Sequence, residues 1–158
     1  MEARTAIIGG SGLDCLTALC IKREHRVQTR YGAPSAALLE GTLDDAPVLF
    51  LPRHGATHAI PPHRINYRAN IAALREAGAT RIFAVTAVGG IARAAAPGRI
   101  VIPDQIVDYT AGREHTFYDG VDGSLVHVEF SEPYTPVTRK RLLGGAATIG
   151  LEVVDGGV

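Results

Sequence analysis

Arg53 and His54 stand side by side in Leu51-Pro52-Arg53-His54-Gly55, directly after the apolar residues Val48, Leu49 and Phe50. Arginine offers a planar fork of donors that suits a phosphate, and histidine adds a donor whose charge changes near neutral pH. The apolar run from 48 to 51 reads as a buried strand, so both side chains would project from a strand end. Together they point to an enzyme that holds an oxyanion, with phosphate the first candidate. By itself, Arg-His-Gly fits a surface arginine beside a turn-capping histidine equally well.

Two more segments have the same character. Gly9-Gly10-Ser11-Gly12-Leu13 follows a first apolar stretch, Thr5-Ala6-Ile7-Ile8. Glycines there let backbone N–H groups approach an anion, and Ser11 adds a hydroxyl. A dinucleotide fingerprint would need a glycine at position 15, where Cys15 stands, and no Gly-Lys-Ser/Thr follows for a nucleotide P-loop. The loop therefore fits a phosphate better than a dinucleotide, and a plain tight turn fits it as well. Val85-Thr86-Ala87-Val88-Gly89-Gly90 ends a third apolar stretch at a hydroxyl residue followed by small residues. Ligands in α/β sheets gather beyond the carboxyl ends of strands. Ser11, Arg53 with His54, and Thr86 all fall at such ends, and the coincidence of three is a stronger signal than any one.

Other reactive residues carry less. His58 and His63 follow Arg53-His54, but Pro61-Pro62 interrupts the segment and no helical period aligns a metal face; a solvated loop is the expected place for both. Arg-His-Gly-x-Thr resembles the motif of histidine phosphatases, which put it on the first strand, whereas here a strand and a glycine loop precede it. Asp104 and Asp108 could form an acid/base pair, although orienting loops and pairing with an arginine is the favoured role.

The elements that must position these groups follow from periodicity and punctuation. Strands are expected over residues 5–8, 27–30, 36–39, 48–51, 81–85, 100–102, 106–107 and 152–154. Asn66 caps a helix running to Gly78, with Ile71 and Leu74 on its apolar side. Thr135 caps a second helix with Pro136 at its first position, Leu142, Leu143, Ala146 and Ala147 on its apolar side, and Gly150 at its end. Gly144-Gly145 inside that helix is unfavourable, at roughly 1 kcal/mol per glycine. Strands alternating with helices give an α/β layered fold, read as a single domain over residues 1–158.

Bulk properties remove whole classes. The 158 residues include 16 Lys+Arg and 16 Asp+Glu, so no basic field exists to attract nucleic acid or an anionic membrane. An anion must be caught by a local site. No apolar run reaches the length of a membrane span, and no signal peptide is evident. Cys15 and Cys20 make no disulfide framework, so reduced, packed thiols in the cytoplasm are expected.

Taken together, the chain resembles the purine nucleoside phosphorylase superfamily, in its methylthioadenosine and methylthioinosine phosphorylase branch. The resemblance rests on Gly9-Gly10-Ser11-Gly12-Leu13, Tyr31-Gly32-Ala33-Pro34-Ser35, Arg53-His54-Gly55, Asn66-Tyr67-Arg68-Ala69-Asn70-Ile71, Thr86-Ala87-Val88-Gly89-Gly90, Pro103-Asp104-Gln105 and Ser131-Glu132-Pro133-Tyr134, in family order. Val88-Gly89-Gly90-Ile91 and Gly112-Arg113-Glu114-His115-Thr116 look most like bacterial methylthioinosine phosphorylases. The resemblance implies a mixed central sheet flanked by helices and phosphate-driven cleavage of an N-glycosidic bond. Inorganic phosphate is the co-substrate, with no metal and no organic cofactor. It implies that Ser11, Arg53, His54, Thr86 and the backbone N–H of Ala87 grip phosphate, Arg53 and His54 foremost. It also implies a homotrimer in which His127 reaches a neighbour's 5′-substituent pocket; a histidine in an alternating strand is the plainer reading. The family's ribose- and base-gripping segments have no counterpart here. A chain lacking the family's C-terminal part is therefore expected, either catalysing phosphorolysis of a 5′-methylthio purine nucleoside or only binding phosphate.

Overall fold

The structure, a computed structural model, describes residues 4–13 and 16–158. Their contacts gather into two compact units, Met1–Ala87 with Gly112–Phe117, and Val88–Ala111 with Tyr118–Val158.

The first unit is built on a five-stranded mixed sheet in the order β2-β3-β4-β1-β5. Its strands are β1 (Thr5–Gly9), β2 (Cys20–His25), β3 (Leu38–Leu43), β4 (Ala46–Pro52) and β5 (Arg81–Ala84). β1 pairs in parallel with β4 on one side and β5 on the other. β3 runs antiparallel to β4 and to β2. β1 and β4 have neighbours on both edges and are apolar on both faces, as central strands must be. Ala6, Ile8, Leu49 and Leu51 point to one face, where Leu38, Ala73 and Leu74 close a core. Val48 and Phe50 point to the other, against Leu19.

Helix α1 (Tyr67–Glu76) covers the first face with Ala69, Ala72, Ala73 and Leu74. Its cap is the expected one: the Asn66 side chain accepts from the Ala69 N–H at 3.0 Å. The helix ends before Gly78, whose φ of 86° is the left-handed conformation that closes a helix most cheaply with glycine. Asn70, four residues past the cap residue, is buried and holds the segment before β3: it accepts from the Ser35 N–H at 2.7 Å and donates to the Ser35 hydroxyl at 3.0 Å.

A polar network closes the same face near the start of β1. Glu40 pairs with Arg4 and with His25, joining the approach to β1, strand β3 and the end of β2. Arg4 also donates to the Ala77 carbonyl at 2.7 Å, satisfying the C-terminus of α1. The hydrogen bond from His25, and then the Arg4 charge, hold the Glu40 carboxyl below its ordinary range.

In the second unit, β6 (Ile100–Ile102) and β7 (Val153–Asp155) pair in parallel, with α2 (Pro136–Thr148) between them in sequence. Arg139 ties them together, donating to the carbonyls of Pro103 at 2.8 Å and Ile102 at 3.1 Å and pairing with Asp155. Among the described residues, no helix is long and apolar enough to cross a membrane.

Several local expectations need correction. Residues 27–30 form no strand; Thr29 makes only an isolated bridge to Gly32. The strand expected at 36–39 lies at Leu38–Leu43, continuing into a hairpin whose Asp44 and Asp45 both take positive φ. Residues 106–107 form no strand, and the one expected at 152–154 starts a residue later. Pro136 opens α2, but the Thr135 hydroxyl makes no cap hydrogen bond. Cys20 is exposed at the start of the edge strand β2 rather than packed, and Cys15 lies outside the described residues.

Candidate functional site

The parallel pairing of β1 with β4 and β5 sets the site. Ile8 is level with Leu51 and Ala84, and Gly9 with Pro52, so three chain segments leave the sheet at one edge. The ladder continues past the strands: the Arg53 N–H donates to the Gly9 carbonyl and the Val85 N–H to the Ile8 carbonyl, both at 2.9 Å. The loop 10–13, closed by the Leu13 N–H on the Gly10 carbonyl at 2.9 Å, therefore emerges between Arg53-His54 and Val85-Thr86. Ser11 is exposed on this loop. The expected strand-end origin of Ser11, Arg53, His54 and Thr86 is thus observed, all within the first unit.

Arg53 lies across the middle of this edge. Its guanidinium Nη1 donates to the Val85 carbonyl at 3.3 Å. A Cβ placed on Gly10 would sit 2.0 Å from Arg53 Nη2 and 3.0 Å from the Val85 carbonyl oxygen. Only glycine leaves the guanidinium room to lie there. The sequence marked this glycine as a turn residue; its second task, seating Arg53, depends on a neighbour 43 positions away (Arg53 minus Gly10) and has no local signal. A guanidinium carries five N–H donors, so the Val85 bond orients the fork without exhausting it.

His54 is buried, and its Nδ1 lies 2.8 Å from the Ile60 carbonyl. A carbonyl can only accept, so Nδ1 carries the hydrogen. The Ile60 N–H returns a bond to the His54 carbonyl at 2.9 Å, closing the loop on itself. His58 departs from expectation. It is exposed, but its ring lies against His54 with centroids 4.7 Å apart, and its Nε2 is 3.5 Å from the Ser11 hydroxyl oxygen. His63 is exposed in a short 3₁₀ turn (Pro62–Arg64), as expected of a loop residue.

Thr86 and Ala87 follow β5 and are exposed at the same sheet edge. His127 belongs to the second unit, in a segment from 124 to 130 without regular secondary structure, so the alternating-strand reading is wrong. Asp104 and Asp108 hold loops. Asp104 accepts from the Gly157 N–H at 2.9 Å, and Asp108 accepts from the Thr110 N–H at 2.8 Å and hydroxyl at 2.6 Å. In these contacts the carboxylates cap turns, the loop-orienting role expected of them.

What this edge can do chemically is collect negative charge. It combines an oriented guanidinium, a histidine with a fixed tautomer, hydroxyls from two strands and small residues that admit an anion.

Comparison with known proteins shows the family. The model of the family described as the Phosphorylase superfamily matches residues 4–158. A probable S-methyl-5′-thioinosine phosphorylase of Xanthomonas campestris is 45% identical over 152 residues, covering 96% of this chain and 61% of the relative. The 6-oxopurine nucleoside phosphorylase of Pyrococcus furiosus is 48% identical over 153 residues, covering 94% and 57%. A crystal structure of an adenosine/methylthioadenosine phosphorylase double mutant from Schistosoma mansoni superposes with a TM-score of 0.89 at 34% identity, covering 98% of this chain and 60% of the other. The chain thus spans about three-fifths of the length of the relatives it matches.

Proposed function

The chain belongs to the phosphorylase superfamily, and on that premise we propose that it binds inorganic phosphate and serves phosphorolysis of a purine nucleoside. The observation that carries this reading is the convergence of three parallel strand ends, with the Arg53 guanidinium lying across Gly10 and bonded to Val85. Ser11, Arg53, His54, Thr86 and the N–H of Ala87 hold the anion. Phosphate attacks C1′ of the sugar as the bond from C1′ to the purine nitrogen breaks. The base leaves with the bonding electrons and takes up a proton, and a pentose 1-phosphate remains. The contribution of these residues is placement of the nucleophile and neutralisation of its charge, so that it approaches a sugar carbon developing positive charge. No metal or organic cofactor enters this scheme.

A 5′-methylthio purine nucleoside is the favoured substrate, with methylthioinosine first; methylthioadenosine and 6-oxopurine nucleosides are the alternatives, and relatives bear all three names. A homotrimer, with His127 entering a neighbour's 5′-pocket, belongs to the same proposal. Family membership turns the reading away from a histidine phosphatase. A second reading is phosphate binding without turnover.

Release of hypoxanthine from methylthioinosine, followed with and without phosphate, tests the proposal. Release that requires phosphate and yields 5-methylthioribose 1-phosphate is expected. Equal release without phosphate contradicts phosphorolysis, and phosphate binding with no release selects the second reading.

A further inference from the structure

His58 is exposed, yet its conformation is costly. Its φ of 54° is left-handed, and the other described non-glycine residues with positive φ are Asp44 and Asp45, whose hairpin turn requires it. A residue kept in a sparsely populated backbone region needs compensation from its surroundings, and such residues cluster at functional sites. The compensation at His58 is visible. A turn closed by its N–H on the Gly55 carbonyl at 3.2 Å folds the chain back, so that the imidazole packs on His54 and its Nε2 comes 3.5 Å from Ser11 Oγ. Ser11 and His54 come from different strand ends, and His58 touches both.

We propose that His58 is a positioning residue of the anion site, setting the direction of the Ser11 hydroxyl; this rests on the phosphate reading above. A serine hydroxyl has one hydrogen, so the partner of its oxygen decides where that hydrogen goes. With a hydrogen on His58 Nε2, the imidazole donates to Ser11 Oγ and the serine hydrogen is directed to an anion oxygen. With a lone pair there, the imidazole takes the serine hydrogen and presents the hydroxyl oxygen's lone pairs to the anion instead. Bound phosphate selects the first arrangement, a chain from Nε2–H to Oγ and from O–H to the phosphate oxygen, in which each bond polarises the next. A contact of 3.5 Å is long for this bond, and such contacts tighten when the ligand arrives. Among the described residues, Arg53 and His54 are charged or titratable side chains that share this edge with His58.

Three variants, His58→Gly, Ser11→Ala and the pair together, separate this role from a structural one. Glycine relieves the left-handed backbone, so the melting temperature of His58→Gly is expected to stay level or rise. Its affinity for inorganic phosphate, measured by calorimetry on the 158-residue chain, is expected to fall roughly three- to tenfold, the worth of one hydrogen bond. In the Ser11→Ala background the same substitution is expected to cause no further loss. Unchanged affinity in His58→Gly, an equal loss in the Ser11→Ala background, or a loss accompanied by a drop of several degrees in melting temperature would each overturn the proposal. Failure of the unsubstituted chain to bind phosphate overturns the phosphate reading itself and this role with it.

Discussion

Arg53 is oriented by two contacts that no local pattern announces, the Val85 carbonyl and the bare Cα of Gly10. Gly10→Ala is therefore a sharper test of the site than loss of Arg53 itself, because it leaves the charge in place and moves it. Gly10 is not among the positive-φ residues, so alanine can take its backbone angles, and the fold should persist once the Val85 carbonyl, 3.0 Å from the new Cβ, gives by a few tenths of an ångström. The guanidinium must shift, and phosphate affinity should drop roughly ten- to a hundredfold, the range for a hydrogen bond to a charged group; calorimetry reads it, and an unchanged affinity would remove Arg53 from the anion's partners. Residue types at strand ends were readable: Ser11, Arg53, His54 and Thr86 all lie where apolar runs predict. His58 was not, because its sequence neighbours are loop-like and its partner Ser11 lies 47 residues away. The sign of φ in a histidine leaves no trace in composition.

At the scale of elements, central strands were the most legible. β1 and β4 are continuous apolar runs buried on both faces, and α1 announces itself by its Asn66 cap and its apolar stripe. The edge strand β2 was missed because Cys-Ile-Lys-Arg-Glu-His lacks any apolar alternation, and charged side chains are how an edge strand discourages further pairing. Its hold on the sheet includes the pairing of His25 with Glu40, itself tied to Arg4. The Glu40 carboxyl is held below its usual value of about 4.5, chiefly by the hydrogen bond from His25. A carboxyl lowered in the folded state stabilises it above the unfolded value, and that stabilisation is lost as pH falls below about 4.5 through the folded value. Glu40→Gln should lower the melting temperature at pH 7 by roughly 2–4 °C, as for about 1 kcal/mol in a chain of this size. Between pH 6 and pH 3 its melting temperature should fall less steeply than that of the unsubstituted chain; parallel slopes would detach Glu40 from acid stability.

For the molecule as a whole, the first unit has a sheet with two filled faces, whereas the second has a two-stranded sheet and one helix. Two strands bury little, and Val88, Ile91, Val121, Leu125 and Ile149 are exposed there. The sequence showed α/β alternation but not this asymmetry, since apolar content says nothing about how many neighbours a strand will find. The residues of the proposed anion site, Ser11, Arg53, His54, Thr86 and Ala87, all belong to the first unit. In the proposed site, three strand ends enclose one phosphate. A crystal structure of the chain grown with phosphate measures this most directly. Density for one phosphate touching Ser11, Arg53, His54 and Thr86 is the predicted result; an empty sheet edge, or phosphate held elsewhere without Arg53, would contradict it.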